Sequence, residues 1–135
     1  MLLALGLPGV ALAAVPVGGS HAWIRWLPGQ IPLAGYVTLH NNGSRARTIV
    51  GASSPAFKRV ELHRSMTTKN GMETMKAVAA VTIPAKGKFS FAPGGYHLML
   101  WRKHPIQVDE KLPIVFEFKN GSRLRVVFTV KGATQ

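Results

Sequence analysis

The sequence predicts an all-β protein built as a single sandwich or barrel, and three observations carry that reading. Short, β-rich stretches of strand length follow one another along the body of the chain. Clusters of Gly, Pro, Asn and Ser separate them at regular intervals. No segment sustains a 3.6-residue apolar period with caps, so little or no helix is expected.

The strands are expected, in order, over Ala22–Leu27, Ala34–His40, Arg47–Ala52 and Arg59–His63. They continue over Ala77–Ile83, Lys88–Phe91, Tyr96–Trp101, Ile114–Phe118 and Leu124–Val130. Asn41-Asn42-Gly43 closes the second and Ser53-Ser54-Pro55 the third. Asn70-Gly71 turns the chain before the fifth, and Pro93-Gly94-Gly95 leads into the seventh. The last two strands flank Lys119-Asn-Gly-Ser122, the clearest hairpin signal in the chain. Residues 21–132 read as one domain with a short loose C-terminus, which suits a length of 135 residues.

Composition narrows the chemistry. There is no cysteine, which excludes a disulfide framework, a thiolate zinc site, an iron–sulfur cluster and a cysteine nucleophile. Five Asp+Glu argue against a two-carboxylate hydrolase or an oxygen-rich Ca²⁺ or Mg²⁺ cage. No G-x-S-x-G, H-E-x-x-H or Ser–His–Asp pattern appears, so no enzymatic activity is expected. The formal net charge is +12, and residues 1–20 carry none of it. Residues 1–13 read as a signal-peptide-like apolar segment with a cut after Ala13, although a basic n-region is absent. The run is too short and too broken by Gly6, Pro8 and Gly9 to span a membrane. No Cys near the cut offers a lipid attachment point.

Met66, Met72, Met75 and Met99 all fall between His63 and Met99. Buried Met is usually core filler, but the first three sit in a polar stretch, Arg64 to Met75, and read as loop residues. In His97-Leu98-Met99, strand alternation sends His97 and Met99 to one face and Leu98 and Leu100 to the other. An imidazole beside a thioether favours Cu(I) over Zn²⁺, Mg²⁺ or Ca²⁺. Thioethers cannot be lost to disulfides, which suits an oxidising compartment. Alone, a His-x-Met is weak, with a chance expectation of about 0.2 for this composition.

The spacing around it is more specific. His63 is followed by Arg64, ten residues to Thr74, Met75, twenty-one residues to Tyr96, then His97-Leu98-Met99. This resembles the signature of the periplasmic copper chaperones of the PCuAC type: His, an optional Met, ten residues, Met, twenty-one residues, His-x-Met. Gly35-Tyr-Val-Thr-Leu-His-Asn-Asn-Gly, Val60-Glu-Leu-His, Asn70-Gly-Met-Glu-Thr-Met and Pro93-Gly-Gly-Tyr-His-Leu-Met-Leu extend the likeness along the chain. The resemblance implies a cupredoxin-like Greek-key β-sandwich that binds Cu(I) through His63, Met75, His97 and Met99. It also implies a periplasmic metallochaperone delivering copper to an acceptor protein, the binuclear centre in subunit II of cytochrome oxidase or an assembly factor. Two family features are missing. Arg64 replaces the optional Met, leaving Met66 or Met72 as secondary candidates, and there is no His/Met-rich C-terminal extension.

Other residues have plainer readings. His21, His40 and His104 are expected at the surface, Trp23 and Trp26 in packing, and Trp101 on the His97–Met99 face. Lys58, Arg59, Arg64, Lys69, Lys76, Arg102 and Lys103 flank the ligands in sequence and suggest a positive rim that steers an acidic acceptor. A monomer is expected, with no nucleic-acid partner and at most weak contact with an anionic membrane surface. The competing reading is a secreted basic domain that binds anionic polymers, nucleic acid or membranes, with strongly salt-dependent affinity independent of the Met residues.

Overall fold

The computed structural model describes residues 15–132. The signal-like segment 1–13 and the end of the chain lie outside them. Ten strands make up the described chain: β1 (Val17–Arg25), β2 (Leu33–Asn41), β3 (Arg47–Ser53), β4 (Phe57–Thr67), β5 (Glu73–Ala77), β6 (Val81–Ile83), β7 (Lys88–Phe91), β8 (Tyr96–Arg102), β9 (Lys111–Phe118) and β10 (Arg123–Lys131). No helix occurs among the described residues.

Period-two alternation sorts the side chains. In β10, Val126, Phe128 and Val130 are buried, while Arg125, Val127 and Lys131, on the alternate positions, are exposed. The strands pair in the order β5-β4-β8-β2-β1-β10-β9-β3-β6, and β7 adds to β2. A further β3–β4 pairing at Ala52 and Val60 closes the ladder on itself, which leaves β5 and β6 as appended edges. The β1–β10 pairing is parallel and the others are antiparallel. Inside the closed ladder lie Ile24, Leu33, Leu98, Leu100, Ile114 and Phe128, each fully buried. Phe116 sits between Phe91 and Phe128, with ring centroids 6.3 and 6.4 Å away. Each such side chain contributes about 1.5–3 kcal/mol of burial energy.

The expected turns are present. Gly121 has φ +89° in the β9–β10 hairpin, Gly71 has φ +77° between β4 and β5, and Gly94 has φ +86° before β8. Nothing lies within 4 Å of a Cβ built on Gly94, so Gly94→Ala suffers only the left-handed backbone penalty. Denaturant unfolding should show a loss of about 1–2 kcal/mol.

Two expectations need correction. The strand read over Ala77–Ile83 is two strands. Ala77 ends β5, paired to His63 of β4, whereas Val81–Ile83 forms β6, paired to β3. The apolar alternation continues through Val78 and Val81, so nothing local marks the change of partner. The polar stretch after His63 is also not a loop: β4 runs on to Thr67 and pairs with β5. Met66 and Met75 therefore lie on strands, and Met72 lies in the turn. Backbone pairing sustains this ladder with every β5 residue exposed. Met66, Met72 and Met75 are 44%, 65% and 61% exposed, which sets them apart from core filler.

Candidate metal centre

Cross-strand register builds the site. In the antiparallel β4–β8 pair, His63 stands opposite His97, Glu61 opposite Met99 and Arg59 opposite Trp101. Residues directly opposite share a face, so one face of two strands carries all six. The β4–β5 ladder extends it, with Ser65 opposite Met75. The other face holds Leu62 opposite Leu98 and Val60 opposite Leu100, packed into the core. The alternation expected for His97 to Leu100 is thus observed.

The rings of His63 and His97 are 5.7 Å apart between centroids. Trp101 lies on the same face, its ring 6.1 Å from His63. Met75, His97 and Met99 line an open cleft of about 370 Å³, with Arg25, Tyr36 and Glu73 among its other walls. His63 lies outside that lining, adjacent to His97. Met66 borders the cleft but pairs with Thr74 and alternates away from Ser65. Met72 is at the hairpin tip. The register puts the four sequence candidates on one face, whereas Met66 alternates to the other face while still lining the cleft.

Each imidazole is anchored through one nitrogen. His63 Nε2 lies 3.0 Å from Glu61 Oε1, and His97 Nδ1 lies 3.4 Å from the Gly95 carbonyl oxygen. The other nitrogens, His63 Nδ1 and His97 Nε2, are buried without a hydrogen-bond partner. A buried polar atom left unpaired costs about 1–3 kcal/mol, and here two such nitrogens sit in neighbouring rings. Among the described residues no three His, Asp or Glu side chains gather as a metal-binding group. A metal held here needs thioether donors, and Met75 and Met99 supply them on the same face.

His97 is only 4% exposed. Burial, which disfavours the charged ring, lowers its pKa below the ordinary histidine value. The Gly95 carbonyl opposes the shift, and His63 adds to it. The ring is therefore neutral and ready to coordinate near neutral pH. The unfolded chain takes up a proton near pH 6.5 that the folded chain resists, so this stability is present above about 6.5 and lost as pH falls through the folded value. Denaturant midpoints of the metal-free protein should fall on acidification below about pH 6.5, and His97→Gln should remove that part of the slope.

Sequence reasoning missed Glu61, Arg25 and the Gly95 carbonyl as site components. Glu61-x-His63 on one strand was a usable signal for a shared face. The positive rim is only partly at the site. Arg59 faces it, but Arg64 and Lys76 pair on the opposite face, and Arg102 bonds the Leu27 and Ile31 carbonyls. Arg25, distant in sequence, lines the cleft instead.

The architecture defines the class: this is the cupredoxin-like fold of the PCuAC domains. The copper-bound PCuAC domain from PmoF2 matches with a TM-score of 0.71 over 89% of this chain and 96% of that one, at 20% identity. The CuI-DR1885 solution structure from Deinococcus radiodurans matches with a TM-score of 0.65, covering 91% and 81% of the two chains at 32% identity. In sequence, residues 17–130 match the family described as "Putative lipoprotein LpqE-like". "Putative lipoprotein Lxx21020" of Leifsonia xyli subsp. xyli is 36% identical over 126 residues, 92% of this chain and 74% of that protein. The chain belongs to the LpqE-like family. Both descriptions say lipoprotein, whereas these 135 residues contain no cysteine.

Proposed function

We propose that the protein is an extracytoplasmic Cu(I) metallochaperone that holds the ion with His63, Met75, His97 and Met99 and passes it to an acceptor. The carrying observation is the facing pair of imidazoles, each anchored through one nitrogen and each with the other buried and unpartnered. Two imidazoles with two thioethers form a soft, neutral donor set suited to Cu(I). The copper-loaded relatives and the lipoprotein names support cargo and compartment.

Transfer is ligand exchange. Met75, on the exposed edge strand, is the accessible donor, and His97 is the deeply set one. An incoming thioether or imidazole displaces Met75 first while the buried ligands keep hold. Delivery to the binuclear copper centre of cytochrome oxidase is the family's implication for the acceptor. X-ray absorption on the Cu(I)-loaded protein should show two sulfur and two nitrogen scatterers. A site of oxygen scatterers alone overturns the reading, as does unchanged Cu(I) affinity when all four ligands are replaced by alanine.

A further inference from the structure

We propose that Glu61 is a positioning residue that selects the ligating nitrogen of His63, so that the two histidines meet copper through different atoms: His63 through Nδ1 and His97 through Nε2. The inference rests on the copper reading above for its metal, but its basis is the hydrogen bonding of the metal-free site. Glu61 Oε1 lies 3.0 Å from His63 Nε2. A carboxylate only accepts, so Nε2 carries the proton and Nδ1 keeps its lone pair. That lone pair belongs to the buried, unpartnered nitrogen. At His97 the roles reverse: Nδ1–H donates to the Gly95 carbonyl, and Nε2 is the buried, unpartnered atom.

Glu61 is itself held. Its Oε2 lies 3.2 Å from Arg59 Nε, and the Arg59 guanidinium carbon sits 3.9 Å from the centre of the Trp101 ring. Alternate residues of β4, Arg59, Glu61 and His63, thus form a chain along one face, braced across the ladder by Trp101. The Gly95 carbonyl also accepts from Ser65 N–H at 3.0 Å, which ties the His97 anchor to β4. A carboxylate on the outer nitrogen of a ligating histidine fixes its tautomer and raises its basicity, and its loss typically lowers metal affinity about 10–100-fold.

Two-bond ¹H–¹⁵N correlation spectra of the ring nitrogens test this, first on the metal-free protein and then with Cu(I) added under reducing conditions. The metal-free spectrum should show His63 as the Nε2–H tautomer and His97 as the Nδ1–H tautomer. Cu(I) should then shift His63 Nδ1 and His97 Nε2. Glu61→Ala should mix the His63 tautomers and weaken Cu(I) binding about 10–100-fold. Glu61→Gln, whose carbonyl oxygen still accepts from Nε2–H, should restore the tautomer and most of the affinity. His63 remaining wholly Nε2–H in Glu61→Ala overturns the positioning role, and Cu(I) shifting His63 Nε2 overturns the nitrogen assignment. Cu(I) shifting neither ring overturns the copper reading itself, and the tautomers measured beforehand tell that failure apart.

Discussion

Replacing His63 and His97 together by alanine should weaken Cu(I) binding by more than about 100-fold, beyond the range seen when only an outer partner of a ligand is lost. Both imidazole donors go at once, and the thioethers of Met75 and Met99 remain as a two-donor remnant. The fold should survive. Removing two buried nitrogens that lack partners relieves a cost of about 1–3 kcal/mol each, which offsets part of the packing lost around His97. Competition with a chromophoric Cu(I) chelator, alongside thermal unfolding of the metal-free variant, separates binding from stability. Retained affinity in a folded double variant defeats the assignment. Met75→Ala supplies the contrast: its side chain is 61% exposed, so stability should move by no more than about 0.5 kcal/mol while Cu(I) affinity drops.

Leu98→Ala should cost about 2–5 kcal/mol, a large share of the roughly 5–15 kcal/mol that holds a domain together. Leu98 is fully buried and stands opposite Leu62 on β4 and Gly35 on β2. A Cβ built on Gly35 would lie 3.4 Å from Leu98 Cβ and 3.4 Å from Leu100 Cδ1, so these two leucines cover the space that the glycine leaves. Three strands held in register cannot collapse into the resulting hole, which places the cost above the minimum. Urea unfolding should show a lower midpoint with an unchanged slope. His97 and Met99 flank Leu98 on the same strand, so a cavity beneath them should also weaken Cu(I) binding. Leu98→Met, which nearly conserves volume, should cost less than about 1.5 kcal/mol and leave the site intact.

Both effects trace to a division already written into Tyr96–Trp101. Alternation alone assigns His97 and Met99 to one face and Leu98 and Leu100 to the other, because side chains in a strand repeat every two residues. Turn chemistry is equally local: glycines at 71, 94 and 121 adopt the positive φ that their turns require. The all-β class and most strands were therefore readable from the residues, and the likeness of the His/Met spacing to the PCuAC signature singled out four candidates.

Other features depend on which strands become neighbours. The extension of β4 past His63 rests on backbone bonds to β5, and a polar side-chain pattern carries no signal of them. The break after Ala77 comes from a change of partner strand, to which local periodicity is blind. The register of β4 against β8 sets His63 opposite His97, thirty-four positions along the chain, and no spacing rule fixes that pairing. It also decides that Arg59 faces the two histidines, while the β4–β5 register turns Arg64 and Lys76 to the other face and the β1–β2 and β2–β8 pairings bring Arg25 beside Met99 at the cleft. Residue types and spacing specified which donors were available, because ligand softness and strand period are local properties. Their convergence on one face, the anchoring by Glu61 and Gly95, and the two buried nitrogens left open arise from long-range pairing, which the folded ladder alone supplies.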